Sequence, residues 1–189
     1  IRGMIPVKSN IIDKKNILLF LGSNFHNVIY PVSSSEDLNL IAIMKYKLSA
    51  DEQKNYSLFD DKSFIQKILN NIPQENKEFF SNLKELKIFP VFVSDNFFEV
   101  KNKKIYFIGD AFFAFPPSFA QGASQSIEGA YELFESIENN FDTNFFKNRV
   151  NKTKMVNNRS KLNQVAFHLS NPLTVYLRNI FLKKIVRNK

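Results

Sequence analysis

Two segments in the first half of the chain alternate between apolar and polar positions or run apolar, which is typical of β-strands. They cover residues 26–32 and 38–47 and are separated by Pro31 and a Ser-rich, acidic turn, so they predict an antiparallel hairpin. The apolar residues 39–44 predict a central strand. An apolar stretch at residues 17–21 precedes the hairpin, and residues 86–93 predict a further strand.

Helical periodicity follows the hairpin and dominates the second half of the chain. Asp60 or Asp61 is placed to cap a helix that ends at Asn70, because a carboxylate there accepts bonds from the first N–H groups. A short helix is predicted at 74–82 and longer ones at 121–138, 143–169 and 172–186. The helix at 121–138 carries an apolar face made of Ile127, Ala130, Tyr131, Phe134 and Ile137.

Between these regions lies a segment whose pattern indicates a ligand. Residues 105–108 predict a buried strand that ends at Gly109 and Asp110, and a loop rich in Phe and Pro leads to a helix starting near Gln121. Ligands of α/β sheets bind beyond the carboxyl ends of strands, and a helix start offers N–H groups and a positive dipole end. Gly122 allows close approach of a flat ligand, and a carboxylate accepts hydrogen bonds from hydroxyls. The residues alone therefore predict a cofactor or an anion at a helix start.

The same segment resembles the second FAD-binding motif of flavoprotein aromatic hydroxylases, the family of para-hydroxybenzoate hydroxylase and the salicylate hydroxylase-like enzymes. Gly-Asp-Ala stands at 109–111, Pro-Pro at 116–117 and Gln-Gly-Ala at 121–123, with the family's spacing kept over about twenty residues. Residues 26–32 and 38–44 resemble the family's substrate-domain sheet, residues 2–6 resemble the segment just before that sheet, and the helices after residue 141 resemble the family's C-terminal helices.

The resemblance implies an α/β (α+β) fold that corresponds to the second half of the family's FAD/NAD(P)-binding fold. It places substrate-domain sheet and helices in residues 1–100, the strand, loop and helix of the FAD motif in 101–140, and basic C-terminal helices in 141–189. The family's Gly-rich βαβ unit, which binds the ADP part of FAD, has no counterpart here. The first residue is not Met, so we expect the missing N-terminal half of the same protein to be the partner of this chain.

The resemblance also implies an activity: hydroxylation of a small aromatic or polyprenyl-phenol substrate with FAD, NAD(P)H and O₂. The Asp110 carboxylate would bond the ribityl chain, the backbone carbonyl of Pro117 would lie near the reactive carbon, and the N–H groups around Gly122 would face the pyrimidine edge. The implied cofactor-binding residues are Gly109, Asp110, Pro116, Pro117, Gln121, Gly122, Ala123 and Ser124, with Pro117 as the catalytic candidate.

The chain departs from the family motif at three places, and these keep other functions open. Phe112 and Phe113 stand where the family has Ala-His, Ser124 replaces Asn, and Gly129 replaces Asp. The alternatives are a reductase or halogenase of the same fold, or a truncated, non-catalytic chain. We expect this chain alone to be inactive and poorly soluble and to bind FAD weakly or not at all, because the strand at 105–108 would expose an apolar edge.

Composition and charge limit the remaining classes of function. With 0 Cys, disulfides, thiolate metal sites and a Cys nucleophile are excluded, and no metal site is predicted. A cytoplasmic protein is expected from the absence of Cys, and no run approaches the roughly 20 apolar residues of a membrane-spanning helix. From residue 143 onwards there are 11 Lys and Arg and no Asp or Glu, which leaves 15 basic and 18 acidic residues before it.

The basic C-terminal region has three interpretations. It is a solvated face, a peripheral contact with an anionic membrane such as the inner membrane, or a surface for an acidic partner. Nucleic acid is not expected, because no nucleic-acid-binding motif accompanies the charge. The last helix is predicted to carry an apolar stripe, flanked by Arg178, Lys183, Lys184 and Arg187, that either packs onto the missing N-terminal half or dips into an anionic membrane. The stripe consists of Leu173, Tyr176, Leu177, Ile180, Phe181 and Ile185.

The remaining candidate residues have structural interpretations. His26 and His168 are predicted to be structural, and Tyr30 and Tyr46 to pack in the core. An aromatic group in the loop either walls a pocket or forms the core of the loop itself. The group consists of Phe112, Phe113, Phe115 and Phe119.

Overall fold

The computed structural model describes residues 1–6, 16–32, 37–81, 83–97, 105–140 and 144–187. The chain divides into two compact units. We call residues 1–90 with 166–189 the sheet unit, and residues 91–165 the motif unit. The boundaries predicted at residues 100 and 140 follow sequence motifs, whereas these boundaries follow contacts within the fold.

The sheet unit is built on five antiparallel strands in the order β2-β3-β4-β1-β5. The predicted hairpin is confirmed, with Asn27 opposite Ala42, and its second strand is the central one, as predicted. The predicted turn at 33–36 lies outside the described residues. The strands are β1 (Arg2–Pro6), β2 (Leu18–Gly22), β3 (Phe25–Pro31), β4 (Asp37–Met44) and β5 (Lys84–Lys87).

One face of this sheet forms the main core. Ile29 of β3 and Leu40 of β4 are direct partners in the ladder, so their side chains lie on the same face of the sheet. Both are completely buried, and Ile72 beyond the sheet belongs to the same core. Helices α1 (Ala50–Lys54), α2 (Lys62–Asn70) and α3 (Lys77–Ser81) follow β4, with a 3₁₀ turn (Gln74–Asn76) leading into α3. The short helix predicted at 74–82 is therefore a 3₁₀ turn followed by one α-helical turn.

Local signals located α2 correctly. Of the two candidate caps, Asp61 is the one used, and its carboxylate accepts a 2.8 Å bond from the N–H of Phe64. Phe64 and Ile68 of α2 belong to a second buried cluster. Tyr46 packs its ring almost perpendicular to that of Phe64, which confirms its predicted role in packing.

The strand predicted at 86–93 is wrong in its position and length. Strand β5 ends at Lys87, which pairs with Arg2, the first residue of β1, so the ladder has no further partner on that strand. Pro90 lacks the N–H that a longer ladder would require. Residues 91–93 are exposed and irregular.

Two long helices complete the described chain. Helix α5 (Phe145–Phe167) begins in the motif unit, and α6 (Pro172–Arg187) begins at Pro172, as predicted from the suitability of proline in a first helical turn. Of the helices within the described ranges, none combines the length and the apolarity needed to cross a bilayer.

Candidate functional site

The motif unit contains helix α4 (Gly122–Glu138), whose start is open. The N-cap residue Gln121 makes no side-chain bond to the first turn. A Cβ built on Gly122 would meet no atom within 4 Å, and the next two residues, Ala123 and Ser124, are exposed. The first N–H groups of α4 therefore lie at an accessible surface that a flat ligand could approach.

Gly109 and Asp110 lie against this helix start because of one backbone conformation. Gly109 has a φ of +58°, in the left-handed region, and opens a 3₁₀ turn (Gly109–Ala111). A Cβ at this position would lie 2.6 Å from the Oγ of Ser126, which itself donates a 3.0 Å bond to the carbonyl of Gly122. Glycine is thus the residue that allows this contact, and the exposed Asp110 follows it directly.

Residues 105–108, which precede this turn, do not form the predicted strand. They belong to no sheet within the described residues, and Ile105 and Ile108 are 49% and 37% exposed. A strand is defined by a ladder of bonds to a neighbouring strand. All the strands of the described sheet lie in the sheet unit, so an apolar sequence alone does not produce one here.

The Pro-Pro loop is held in a defined conformation. Pro116 is buried, whereas Pro117 is exposed and starts a 3₁₀ turn (Pro117–Phe119). The turn ends at Ala120, whose φ of +52° is unusual for a residue with a Cβ. The side-chain amide of Asn163 on α5 donates a 3.2 Å bond to the carbonyl of Ser118, so α5 fixes this turn.

The aromatic residues of the loop form its own core. Phe112 and Phe113 are buried, and Phe113 stacks on Phe97 with ring centroids 4.5 Å apart. Phe112, Phe113 and Phe115 also line a cavity of about 10 Å³, together with Asp110 and Gly122 on its rim. That volume holds about one water molecule. A tricyclic ring does not fit inside it and would have to lie on the outer, open side of the helix start.

A buried cation on α5 fixes the first turns of α4. Arg149 donates to both the carbonyl and the side-chain oxygen of Gln125 at 3.1 Å, and to Glu128 and Glu132 at 3.4 and 3.2 Å. Lys152 bonds the same two carboxylates from the surface, at 2.5 and 2.6 Å. Its bond to Glu128 lowers the pKa of that carboxyl and raises the pKa of the Lys152 amine.

Gly129, one of the departures from the family motif, has a packing explanation. The residue is buried, and its missing side chain leaves space for the guanidinium of Arg149, whose Nε would lie 3.5 Å from a Cβ built there. Sequence reasoning did not identify this network. The sequence signal that could have indicated the network is the spacing of Glu128 and Glu132 on one helix and of Arg149 and Lys152 on the other. Residues three or four apart share one face of a helix.

The structure brings together some of the predicted site residues. Gly109, Asp110 and Gly122 line one cavity, whereas Pro116 and Pro117 do not line it. Pro117, Ala123 and Ser124 are each exposed to solvent. Among the residues in the described ranges, no group of three or more His, Asp or Glu could hold a metal ion.

Comparison with known proteins identifies the fold. No protein-family model matches the chain, and no curated protein matches its sequence. Its structure matches that of a substituted HpxO from Klebsiella pneumoniae complexed with FAD, with a TM-score of 0.64 and 14% identity. The match covers 97% of this chain and 49% of that chain, so this chain spans about half the length of the structure it matches. At the level of fold, the predicted combination of helices and antiparallel sheet is confirmed.

The ion network generates a stability prediction. We expect Arg149→Met to destabilise the motif unit by about 3 kcal/mol, because the carbonyl of Gln125 loses a bond and two carboxylates lose their buried partner. Lys152→Met is the matched control, and it should cost at most about 1 kcal/mol, since Lys152 is 40% exposed. Chemical denaturation measures both. Equal costs for the two variants would show that Arg149 is not the anchor of α4.

Proposed function

We propose that this chain is part of an FAD-dependent monooxygenase, and that Asp110 and the start of α4 hold the flavin. The observation that carries the proposal is the close contact of Gly109 with Ser126, which places an exposed carboxylate beside an open helix start. The motif resemblance and the fold shared with a protein complexed with FAD support it.

The residues present suit the cofactor. The carboxylate of Asp110 would accept hydrogen bonds from ribityl hydroxyls, and the amides of Gly122, Ala123 and Ser124 would face the ring edge that becomes negative on reduction. Pro116 and Pro117 would line the face where oxygen reacts. When bound, FAD would accept hydride from NAD(P)H and react with O₂. The chain itself binds, orients and stabilises charge.

We assign the aromatic or polyprenyl-phenol substrate to the sheet unit, as the family resemblance implies. The face of the sheet opposite the main core carries polar side chains. By strand alternation this face includes His26 and Tyr30 of β3 and Asn39 of β4, with Asn39 directly across from Tyr30. Polar groups on a largely apolar surface are what orients a phenolic ligand.

The exposed face of α4 supports a partner for the motif unit. Ile127, Tyr131, Phe134 and Ile137 are 48–72% exposed, whereas Gly129 and Ser136 on the opposite side are buried. An apolar face of this size is ordinarily covered. We propose that the remaining half of the fold covers it, since the chain spans only 49% of the matched structure.

A titration with flavin tests the site. We expect Gly122→Ala to leave stability unchanged or slightly higher, because its Cβ meets nothing within 4 Å and alanine favours helix. The same Cβ would stand between the helix start and the ring, so flavin affinity should fall about tenfold or more. NMR titration with FAD, which detects weak binding, measures this. Gly22→Ala, in the sheet unit, is the control and should bind like the wild type. Equal affinity in all three proteins would contradict the proposed flavin position.

Turnover tests the activity. With the remaining half of the fold supplied, on the same polypeptide or as a co-expressed chain, NAD(P)H oxidation should be stimulated by a phenol, and ¹⁸O₂ should label the product. The chain alone should give no turnover. Three readouts separate the alternatives. By mass spectrometry a reductase leaves no ¹⁸O in the product, whereas a halogenase requires halide for turnover. A non-catalytic chain retains no flavin after purification.

The last helix carries a second proposed surface. The predicted apolar stripe of α6 is 40–67% exposed, and Lys183 and Lys184 are exposed beside it. We propose that it contacts an anionic membrane surface, because the region from residue 143 contains 11 basic and no acidic residues. Co-sedimentation with anionic liposomes should therefore be salt-sensitive and should weaken in Leu177→Glu. The control Asn179→Glu, which adds the same charge outside the stripe, should bind normally. Binding equal to that of neutral liposomes would contradict the proposal.

A further inference from the structure

Two histidines that are far apart in sequence form a buried hydrogen bond in the sheet unit. His26 of β3 is 1% exposed, and its Nδ1 lies 2.7 Å from the Nε2 of His168, just after α5. Beside this bond, the N–H of Asn24 donates a 3.3 Å bond to the carbonyl of His168. One proton between the facing nitrogens lets one donate and the other accept, but when both rings are protonated both facing nitrogens are donors and the bond is lost.

The surroundings of the pair are unfavourable to protons. The ring of Phe167 packs edge-on against His26, with centroids 5.2 Å apart, and the neighbouring strands place Leu21 and Ile43 opposite it. Lys45 acts through its charge on His168, and a second basic residue, Arg178 of α6, bonds the backbone beside the pair. Arg178 donates to the carbonyl of Ala166, so both nearby charges are positive.

We propose that the bond between His26 and His168 is a proton-operated latch. It holds the chain segment from residue 166 onwards on the sheet at neutral pH and releases it in acid. The open segment would expose His26 and the end of the sheet face that it shares with Tyr30. Only this consequence, access to the face assigned to the substrate, rests on the proposed function; the latch itself does not.

The direction of the pH dependence follows from burial. Burial lowers the pKa of His26 from 6.5 to about 4, with a contribution from His168, and burial together with Lys45 lowers the pKa of His168. Released histidines return to ordinary values, so the open state takes up protons first as pH falls below 6.5. The latch is therefore fully closed above pH 6.5 and weakens as pH falls towards about 4. Each titrating histidine raises the ratio of open to closed forms about tenfold per pH unit.

The amide of Asn24 reports directly on the latch, because its bond acceptor is His168. Hydrogen exchange followed by NMR on the full chain, corrected for intrinsic rates, should show its protection falling about tenfold or more per pH unit below 6.5. The amide of Ile72, bonded to the carbonyl of Leu69, is the reference for unfolding of the whole unit and should stay protected.

The variant His168→Gln separates the latch from other acid effects, since glutamine can hydrogen-bond but does not titrate in this range. Because His26 still titrates in this variant, its Asn24 protection should fall less steeply with pH than in the wild type, and in the double variant His26→Gln with His168→Gln it should not depend on pH beyond the intrinsic rate. Imidazole ¹⁵N shifts of the wild type, which need no variant, should show His26 titrating only as Asn24 loses protection.

Three results would overturn the latch. They are constant protection of Asn24 in the wild type, a wild-type pH dependence that persists in the double variant His26→Gln with His168→Gln, or a parallel loss of protection at Ile72. None of these measurements uses flavin or substrate, so a failure of the oxygenase proposal leaves the test intact.

Discussion

The candidate site depends on one steric constraint, the contact of Gly109 with Ser126. A left-handed glycine with no room for a Cβ brings the turn at Gly109–Ala111 against the first turns of α4. This contact converts a sequence spacing into a geometry, because Asp110 can lie beside the helix start only if the preceding residue fits under Ser126. Arg149 fixes the other side of the same helix turns through Gln125. The carboxylate and the amides are thus held by two independent elements.

Helix α4 exposes its apolar face, whereas a helix in a self-contained domain buries that face and exposes its polar one. On the polar side of α4 the buried Arg149 and the half-exposed Lys152 neutralise the partly buried Glu128 and Glu132, whereas its apolar side is exposed. Burying charges is tolerable when each is paired and hydrogen-bonded, as these are. The absence of a side chain at Gly129 leaves space for the guanidinium of Arg149 beside α4. An exposed apolar face of this kind is favourable only if another layer of protein covers it. This expectation agrees with the coverage of the structural match, in which the chain spans 49% of the matched structure.

Local signals were sufficient for much of this fold. The hairpin, the cap at Asp61 and the start of α6 at Pro172 could be predicted, because each depends on residues close in sequence. The strand predicted at 105–108 was wrong, since a ladder needs a neighbour that no local pattern reveals. The contact between His26 and His168 spans 142 residues, and the network of Arg149 crosses two helices. In the site, the order and spacing of the motif were readable, but the left-handed turn that assembles it was not.

The main core of the sheet unit and helix α4 of the motif unit differ in how far the chain itself covers their apolar residues. In the sheet unit Ile29 and Leu40 are fully buried by the chain's own strands and helices. In the motif unit the loop has its own aromatic core, but one whole side of α4 is exposed. The helix start proposed to face the flavin belongs to that half-covered helix. Cofactor affinity should therefore depend on what covers α4, whereas the main core of the sheet contains no residue of α4.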